Sequence, residues 1–542
     1  MAQAPKRKEE TVGKEMTGDE ALAYVLHELK ISKTFVSPEV PDFLREKLKG
    51  NHVEMLEAPS PRDAVILADS YARSGNDLGV ALVFPSARIL EAIDVIAQAY
   101  SDSVPLLIIG TLRSYRDTGR ARLNELRTQD DVMASLAPFV KTRERVVTIE
   151  EITEVLEKAW KEALSNRPRP VYVELAEDLF RLKAYPLATA GQKVEKRTPD
   201  KATAAKVAEL LVNSSNPVIV AGYGVLTSQA WDSVKELAEL LDIPVVTTIR
   251  GKGSIPASHP LFAGEGLGLF ASEGASHFLD KADVVLAVGT RFTQASTGGW
   301  SFKFKGYVVH NNIDGEDVGK VIVPQVPAIA DANLFLREVI ANVRQKVKEP
   351  IDRGTKSEVF AYRKSPSSEF HSGLWPIDIL YALNKTGYER VYVDLSSTTF
   401  DLIRLPVERP FQWVTSETVL TPSVAVGGVV LSRNPNAVGV TTLEGALRNF
   451  GLLRSFMNVA KGKLIIANDG GSTYLDTFRS DVPSIGRKGK PNYMDEVLEG
   501  SFKAITVETY GELVSALSEP SNSLVVINAK LAEGFKSTVL PS

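Results

Sequence analysis

The chain has 542 residues and a formal net charge of −4, and 44% of its residues are hydrophobic. At roughly 150 residues per domain, this length predicts three or four domains, each with its own core. The sequence contains no cysteine and only six histidines. It therefore excludes a disulfide framework, thiol nucleophiles and Cys-ligated metals, and it disfavours a histidine-built metal site. The near-neutral charge also argues against a nucleic-acid partner.

The N-terminal segment, residues 1–14, is charged and has no apolar stretch. It is therefore predicted to form a disordered tail and not a signal peptide. No apolar run in the sequence approaches the roughly 20 residues that cross a bilayer, so no membrane partner is expected. The expected location is the cytoplasm.

A first domain is predicted over residues 15–188. From Gly18 onward, short β-branched runs alternate with helical patterns, which is typical of βαβ units and parallel sheets. The clearest strand candidates are residues 79–84, 106–109 and 170–174. Between the last two, residues 149–165 are predicted to form an amphipathic helix that begins with a capping box between Thr148 and Glu151.

Two further domains repeat this pattern. A polar linker at residues 189–200 leads into a central domain over residues 198–346, and a charged linker over 347–368 leads into a last domain over 369–542. The predicted strands of these two domains are residues 217–221, 244–248, 283–288, 308–313, 390–394, 437–440, 463–467, 504–507 and 523–528. The pattern predicts an α/β protein of three doubly wound parallel-sheet domains.

Several phrases are more specific than a fold pattern. They are MTG at residues 16–18, AYSDSVPL at 99–106, PVIVAGYG at 217–224 and RPFQWVTS at 409–416. They resemble the thiamine-diphosphate-dependent enzymes of the acetolactate synthase and pyruvate oxidase group, over about residues 15–540. The resemblance implies a pyrimidine-binding, a central and a pyrophosphate-binding domain in that order. It also implies thiamine diphosphate and Mg²⁺ as cofactors, and decarboxylation or carboligation of a 2-oxo acid.

The pyrimidine-binding end departs from the family pattern. The resemblance implies a carboxylate against the aminopyrimidine ring, eight residues before the Asp of the DSYAR phrase at 69–73, and that position is Pro61. Glu57 is a candidate catalytic acid if the loop is redrawn, and otherwise a solvated loop acid. A loop of small residues that approaches the cofactor is replaced here by a segment in which Phe84 and Arg88 would fill the space.

The metal-binding positions implied by the resemblance are also changed. Glu444 and Asp469 lie 25 residues apart and each follows a strand candidate. Their hard oxygen atoms would hold Mg²⁺ or Ca²⁺; the alternative is a pair of helix-start and turn acids. The adjoining Gly445 is the glycine retained where the diphosphate would approach the backbone.

Further positions in the last domain are expected to line or adjoin the same cofactor cleft. Leu420 would replace the apolar wedge that bends the cofactor, and Glu417 replaces a glycine near it. Ser396 and Ser397 lie in the turn after the first strand of the last domain, where they would receive a phosphate or simply complete the turn.

The central domain resembles the domain that holds FAD or another adenine nucleotide in some members of the group. The resemblance implies Gly222, Gly264 and Arg291 as nucleotide-binding residues. The alternative is that the glycines close strand-to-helix turns, as any doubly wound sheet requires.

These observations leave two hypotheses for function. The first is an acetolactate-synthase-like enzyme with an atypical cofactor site that acts on a small 2-oxo acid. The second is a catalytically inactive member of the same fold that acts as a regulatory or structural subunit or binds another ligand. The resemblance implies a homodimer or homotetramer, because the family's cofactor lies between two chains, and a hetero-oligomer with an active paralogue is the further alternative.

Overall fold

The computed structural model describes residues 13–114, 119–120, 123, 125–189, 194–363, 372–418, 420–470, 504–533, 535 and 537–539. The chain divides into two compact units, Met1–Glu195 and Lys196–Ser542, which we call the N-terminal and C-terminal units. Most of the predicted N-terminal tail and the end of the second predicted linker lie outside the described residues. No helix among the described residues is long and apolar enough to span a bilayer.

The N-terminal unit contains one six-stranded parallel sheet and a short antiparallel ribbon. Its strands are β1 (Met16–Thr17), β2 (Lys33–Val36), β3 (Glu54–Glu57), β4 (Gly79–Val83), β5 (Leu106–Leu112), β6 (Arg143–Val146), β7 (Val171–Ala176) and β8 (Lys183–Ala184). Strands β1 and β8 form the ribbon, and the sheet has the order β3–β2–β4–β5–β7–β6. The inner strands β4, β5 and β7 are buried along their whole length, which explains their continuous apolar sequences.

Helices cover both faces of this first sheet. They are α1 (Gly18–Glu28), α2 (Asp42–Gly50), α3 (Pro61–Arg73), α4 (Ile93–Asp102), α5 (Asp131–Leu136) and α6 (Ile152–Leu164), with 3₁₀ turns at Ser86–Ala92 and Glu177–Arg181. Helix α1 begins with a capping box in which the Thr17 amide donates to the Glu20 carboxylate at 3.0 Å.

The start of α6 differs from the sequence prediction. The helix begins at Ile152, with no side-chain cap, and the predicted box between Thr148 and Glu151 is not formed. Instead, the Glu151 carboxylate accepts a hydrogen bond from the Val147 amide at 3.2 Å. The acid therefore satisfies an amide of the incoming chain, so the first regular turn starts later than predicted.

A buried ion cluster joins helices α3 and α4. The Arg73 guanidinium lies 2.6 Å from Asp69 on the same helix and 2.7 Å from Asp102 at the end of α4. All three side chains are excluded from water. The phrases at residues 69–73 and 99–106, which carry part of the family resemblance, thus supply the charges that fix α3 against α4.

The C-terminal unit contains two six-stranded sheets, both entirely parallel. The second sheet has the order β11–β10–β9–β12–β13–β14. Its strands are β9 (Pro217–Ala221), β10 (Val245–Thr247), β11 (Phe262–Glu265), β12 (Val284–Val288), β13 (Tyr307–Asn312) and β14 (Val326–Ile329). Its helices are α7 (Lys201–Asn213), α8 (Tyr223–Thr227), α9 (Trp231–Leu241), α10 (Glu273–Lys281), α11 (Gln294–Thr297), α12 (Ala332–Lys346) and α13 (Thr355–Ala361), with a 3₁₀ turn at Gly268–Phe270.

The third sheet has the order β16–β15–β17–β18–β20–β19. Its strands are β15 (Arg390–Val393), β16 (Trp413–Thr415), β17 (Ala437–Thr442), β18 (Lys463–Asn468), β19 (Ile505–Val507) and β20 (Val525–Lys530). Its described helices are α14 (Pro376–Thr386), α15 (Val424–Leu431), α16 (Leu443–Arg448), α17 (Phe450–Phe456) and α18 (Tyr510–Ser518), with a 3₁₀ turn at Phe400–Arg404. The three parallel sheets confirm the predicted fold class.

The strand order changes direction between β2 and β4, between β9 and β12, and between β15 and β17. In open α/β sheets, ligands bind in the crevice beyond the carboxyl ends of the strands at such a switch point. These three edges are therefore where a cofactor-binding site is sought.

Replacing Arg73 by Met tests the buried cluster. It leaves two buried carboxylates without their counterion, so the free energy of unfolding is expected to fall by about 3–5 kcal/mol. Arg62→Met, on the same helix, breaks the partly exposed Arg62–Asp94 pair and is expected to cost about 1 kcal/mol or less. Urea unfolding followed by circular dichroism measures both. Equal losses for the two variants would contradict a structural role for the cluster.

Candidate functional site

The switch point of the first sheet lacks a free acid at the predicted catalytic position. Pro61 is the first residue of α3 and is buried. The Ser60 hydroxyl accepts from the Asp63 amide at 3.1 Å and donates to the Asp63 carboxylate at 2.7 Å. Burial raises the pKa of Asp63. This nearby acid therefore completes the cap of α3, and the proline beside it offers no side-chain acceptor.

Glu57, the alternative acid, lies at the end of β3. Its carboxylate is 2.6 Å from the Arg45 guanidinium, and 57% of the Glu57 side chain is exposed. The residue thus has the surroundings of a solvated surface acid.

The loop after β4 closes on the loop after β2. The Phe84 amide donates to the Ser37 hydroxyl at 3.2 Å, and the Phe84 ring is buried 6.0 Å from the ring of Phe180. Arg88 forms ion pairs with Glu39 and Glu91. The two side chains that the sequence predicts to fill this space are thus held there by packing and by charge.

An acid at the switch point of the third sheet was missed by sequence reasoning. Asp394 follows β15 and is buried. Its carboxylate accepts from the Val424 and Ala425 amides of α15 at 2.9 and 3.3 Å and from the Thr441 hydroxyl at 2.7 Å. The only sequence signal is an aspartate at the end of an apolar strand. The first amides of α15, which would otherwise attract an anionic ligand, are thus bonded to the chain's own carboxylate.

Gly445, the retained glycine, is enclosed by its own chain. Its amide donates to the Thr442 hydroxyl at 3.1 Å, which caps α16. A Cβ at this position would lie 2.0 Å from the Thr441 hydroxyl oxygen. Close packing of two chain segments therefore explains the glycine without a diphosphate.

The two predicted metal ligands lie at the same edge of the third sheet. Thr442 pairs with Ala467, and Glu444 and Asp469 each follow two residues beyond this pair. The Glu444 carboxylate is 2.9 Å from the Arg448 guanidinium. Among the described residues, no group of three or more His, Asp or Glu side chains is placed to hold a metal. The residues that follow Gly470 lie outside the described part of the chain.

The remaining cleft positions do not present a cradle for phosphate. The Ser396 hydroxyl lies 3.0 and 3.1 Å from the hydroxyls of Thr398 and Thr399, so this turn bonds to itself. Ser397 is half-buried. Leu420, the predicted wedge, is 49% exposed.

Glu417 links the third sheet to the second. Its two carboxylate oxygens accept from the Arg250 amide at 3.2 Å and from the Thr293 hydroxyl at 2.9 Å. The Arg250 guanidinium in turn lies 3.5 Å above the centre of the Tyr223 ring, beside the second switch point. The acid that replaces a family glycine is therefore a connection between two sheets.

Other segments of the same chain pack closely against the two predicted nucleotide-binding glycines. A Cβ on Gly222 would lie 2.5 Å from the Gly289 carbonyl oxygen, and one on Gly264 would lie 1.9 Å from the Ser272 hydroxyl. Gly264 also has a φ of +130°, which favours glycine. Arg291 is half-buried in the loop after β12. Chain packing alone accounts for the two glycines, and their role toward a nucleotide stays a prediction.

A second connection between these sheets surrounds Lys252. Its ammonium donates to the carbonyls of Leu405, at 2.8 Å, and of Ile403. Beside it, Arg404 and Glu265 form an ion pair at 2.9 Å. Burial lowers the pKa of Lys252 to about 8, although Glu265 opposes this change. The lysine lies in a GKG phrase of the predicted central domain, but its partners could not be read from the sequence.

At the positions that the resemblance assigns to thiamine diphosphate, the described residues bond to one another. Pro61, at the predicted acceptor position for the pyrimidine ring, has no side-chain acceptor, and the amides of Val424 and Gly445 are bonded to Asp394 and Thr442. Glu444, one of the two predicted metal ligands, forms an ion pair with Arg448.

Replacing Glu417 by Ala tests the first connection. It leaves the Arg250 amide and the Thr293 hydroxyl without this acceptor, so the free energy of unfolding is expected to fall by about 2 kcal/mol. The control is Glu209→Ala on the exposed face of α7, which should stay within about 0.5 kcal/mol of the wild type. Thermal and urea unfolding measure both. Equal stability of the two variants would contradict a linking role.

The pH dependence of stability tests the second connection. Because burial lowers its pKa to about 8 from 10.5, folded Lys252 releases its proton before the unfolded chain does. The penalty for burying its charge is fully present below pH 8 and is relieved as the pH rises towards 10.5. The stability of the wild type relative to Lys252→Met should therefore rise across this window, by at most about 1.4 kcal/mol per pH unit. A difference that does not change with pH would contradict this.

Sequence and structure comparisons place the chain among known proteins. Residues 16–134 match the model of the thiamine pyrophosphate enzyme N-terminal TPP binding domain, and residues 204–339 match that of the thiamine pyrophosphate enzyme central domain. The structure resembles benzoylformate decarboxylase from Polynucleobacter necessarius with a TM-score of 0.79 and 18% identity, over 96% of this chain and 99% of that one.

Curated relatives include acetolactate synthase large subunits. A probable large subunit from Methanococcus aeolicus is 31% identical over 50% of this chain and 46% of its own length. The Escherichia coli isozyme 3 large subunit is 28% identical over 65% of this chain and 63% of its own, and that of Buchnera aphidicola from Acyrthosiphon pisum is 25% identical over 87% and 84%. The chain thus spans about half the length of the first relatives it matches. Residues 16–134 and 204–339 of this chain are thus similar to the N-terminal TPP binding domain and the central domain of thiamine pyrophosphate enzymes.

Proposed function

We propose that this chain is a non-catalytic member of the thiamine pyrophosphate enzyme family that serves as a structural or regulatory subunit. One observation carries the proposal: the groups at the expected cofactor positions are already bonded within the chain. The Asp394 carboxylate accepts a hydrogen bond from the first amide of α15, and the Thr442 hydroxyl accepts one from the Gly445 amide. The Glu417 carboxylate accepts one from the Arg250 amide. A cofactor would have to break these bonds before it could form its own.

Association with other chains follows from this proposal. A subunit without chemistry acts through its interfaces, and several relatives are named as large subunits. We therefore propose a homodimer or homotetramer, or a hetero-oligomer with an active paralogue. Analytical ultracentrifugation of the chain alone and mixed with such a paralogue separates these states, and a monomer in both samples would contradict the proposal.

A second candidate is an acetolactate-synthase-like enzyme with an atypical site. The placement of Glu444 and Asp469 at one edge of the third sheet favours it, because Mg²⁺ prefers carboxylate oxygens. In this case Glu444 would exchange Arg448 for the metal, and the substrate would be a small 2-oxo acid such as pyruvate.

Thermal unfolding with and without millimolar thiamine diphosphate and Mg²⁺ tests the proposal. The non-catalytic function predicts the same unfolding midpoint in both samples. An enzyme that binds the cofactor would gain about 2.7 kcal/mol of stability when the ligand is at 100 times its dissociation constant.

The control variant for this experiment is Glu444→Gln, which keeps the size of the side chain and removes its charge. A stabilisation by cofactor that this variant reduces, together with acetolactate formed from pyruvate by the wild type only, would overturn the non-catalytic function and support the second candidate.

A further inference from the structure

A cavity of the C-terminal unit lies between the second and third sheets, and Gly264, one of the predicted nucleotide positions, is among its lining residues. Its volume is about 810 Å³, which is within the range of small-molecule sites. It opens beside the carboxyl ends of β10 and β11 and is bounded by α13, α14 and the 3₁₀ turn at Phe400–Arg404. Its lining residues do not include the positions predicted to hold thiamine diphosphate.

One wall of this cavity presents unused hydrogen-bond donors. Thr247 is 1% exposed, and its hydroxyl has no hydrogen-bond partner among the described residues. The Arg404 guanidinium uses one nitrogen on the Glu265 carboxylate and carbonyl, at 2.9 and 3.3 Å. Its other nitrogens have no hydrogen-bond partner in the described part of the chain. A buried polar group of this kind is costly unless a ligand or water satisfies it.

Another part of the cavity lining is apolar and aromatic. It is formed mainly by side chains of α14 and the residue that precedes it, together with β11: Phe262, Trp375, Ile377, Leu380 and Tyr381. Such a wall would bury the apolar body of a ligand, while the donors on the other wall orient its polar end.

The charges in the cavity indicate the sign of that polar end. The lining contains equal numbers of basic and acidic side chains, which are Lys252, Arg363, Arg404, Glu265, Glu273 and Glu408. Glu265 is paired with Arg404, and Glu408 accepts from the amide and hydroxyl of Ser258. The donors left over belong to a hydroxyl and a guanidinium, and these bind anions such as carboxylates.

We propose that this cavity binds a small organic acid whose anionic group accepts hydrogen bonds from Thr247 and Arg404 and whose apolar or aromatic body packs on Trp375 and Leu380. The site would give the chain a ligand of its own that is independent of thiamine diphosphate. Burial of Lys252 close to the same wall adds a positive charge there below pH 8.

The test uses the full chain and the fluorescent probe 1-anilinonaphthalene-8-sulfonate, an anion with an aromatic body. The native protein should bind one equivalent with a saturable rise in fluorescence. The uncharged analogue N-phenyl-1-naphthylamine should bind at least about 10-fold more weakly, because it cannot accept the charge-assisted hydrogen bonds.

Thr247→Val tests whether the hydroxyl contributes to probe binding without contributing to stability. Its oxygen has no hydrogen-bond partner among the described residues, so the variant should unfold at the wild-type midpoint and still bind the probe about 10-fold more weakly. The matched control is Thr142→Val, which removes another buried hydroxyl without a partner among the described residues, in the N-terminal unit. This control should bind the probe like the wild type.

A second variant, Ala257→Trp, places a large side chain on the cavity lining and should abolish binding. The proposal is overturned if the charged and neutral probes bind equally, if Thr247→Val binds like Thr142→Val, or if probe fluorescence survives Ala257→Trp. None of these outcomes depends on thiamine diphosphate, so the proposed function can fail or hold independently.

Discussion

Hydrogen-bonding groups at the carboxyl edges of the three parallel sheets must have partners, and this constraint shapes the whole structure. Strand ends and helix starts meet at these edges, so amides and carboxylates are brought together away from water. In an enzyme, a bound cofactor satisfies part of this requirement. Here the chain satisfies it with its own side chains: Asp394 on the start of α15, Thr442 on the start of α16, and Ser60 on the start of α3. A family fold is thus retained while its cofactor edges are bonded internally.

The same constraint joins the second and third sheets. The Glu417 carboxylate accepts hydrogen bonds from one amide and one hydroxyl of the second domain. The Lys252 ammonium donates to two carbonyls of the third. The Arg404–Glu265 ion pair lies beside Lys252, and both of its residues line a cavity. Glu417 and Lys252 therefore hold the second and third sheets together, and the junction contains a concave surface.

The elements of regular structure could be predicted from the sequence with small errors. Strand β9 occupies residues 217–221 as predicted, because a β-branched run between Pro and Gly is a local signal. The predicted start of α6 was wrong. The prediction assigned a capping box from the residue types at 148 and 151, but the Glu151 carboxylate accepts a hydrogen bond from the Val147 amide instead. Pro61 and the other cofactor positions were also located from local phrases. The partners of Glu417 could not be predicted, because Arg250 and Thr293 lie 167 and 124 residues away in the chain. Only the folded sheets bring these residues together.

We propose that hydrogen bonds within the chain have replaced the cofactor. Isothermal titration calorimetry of the purified full chain with thiamine diphosphate, in excess Mg²⁺, tests this replacement. No heat beyond that of dilution is expected at millimolar cofactor. Saturable binding with about one cofactor per chain, weakened by Glu444→Gln, would contradict it.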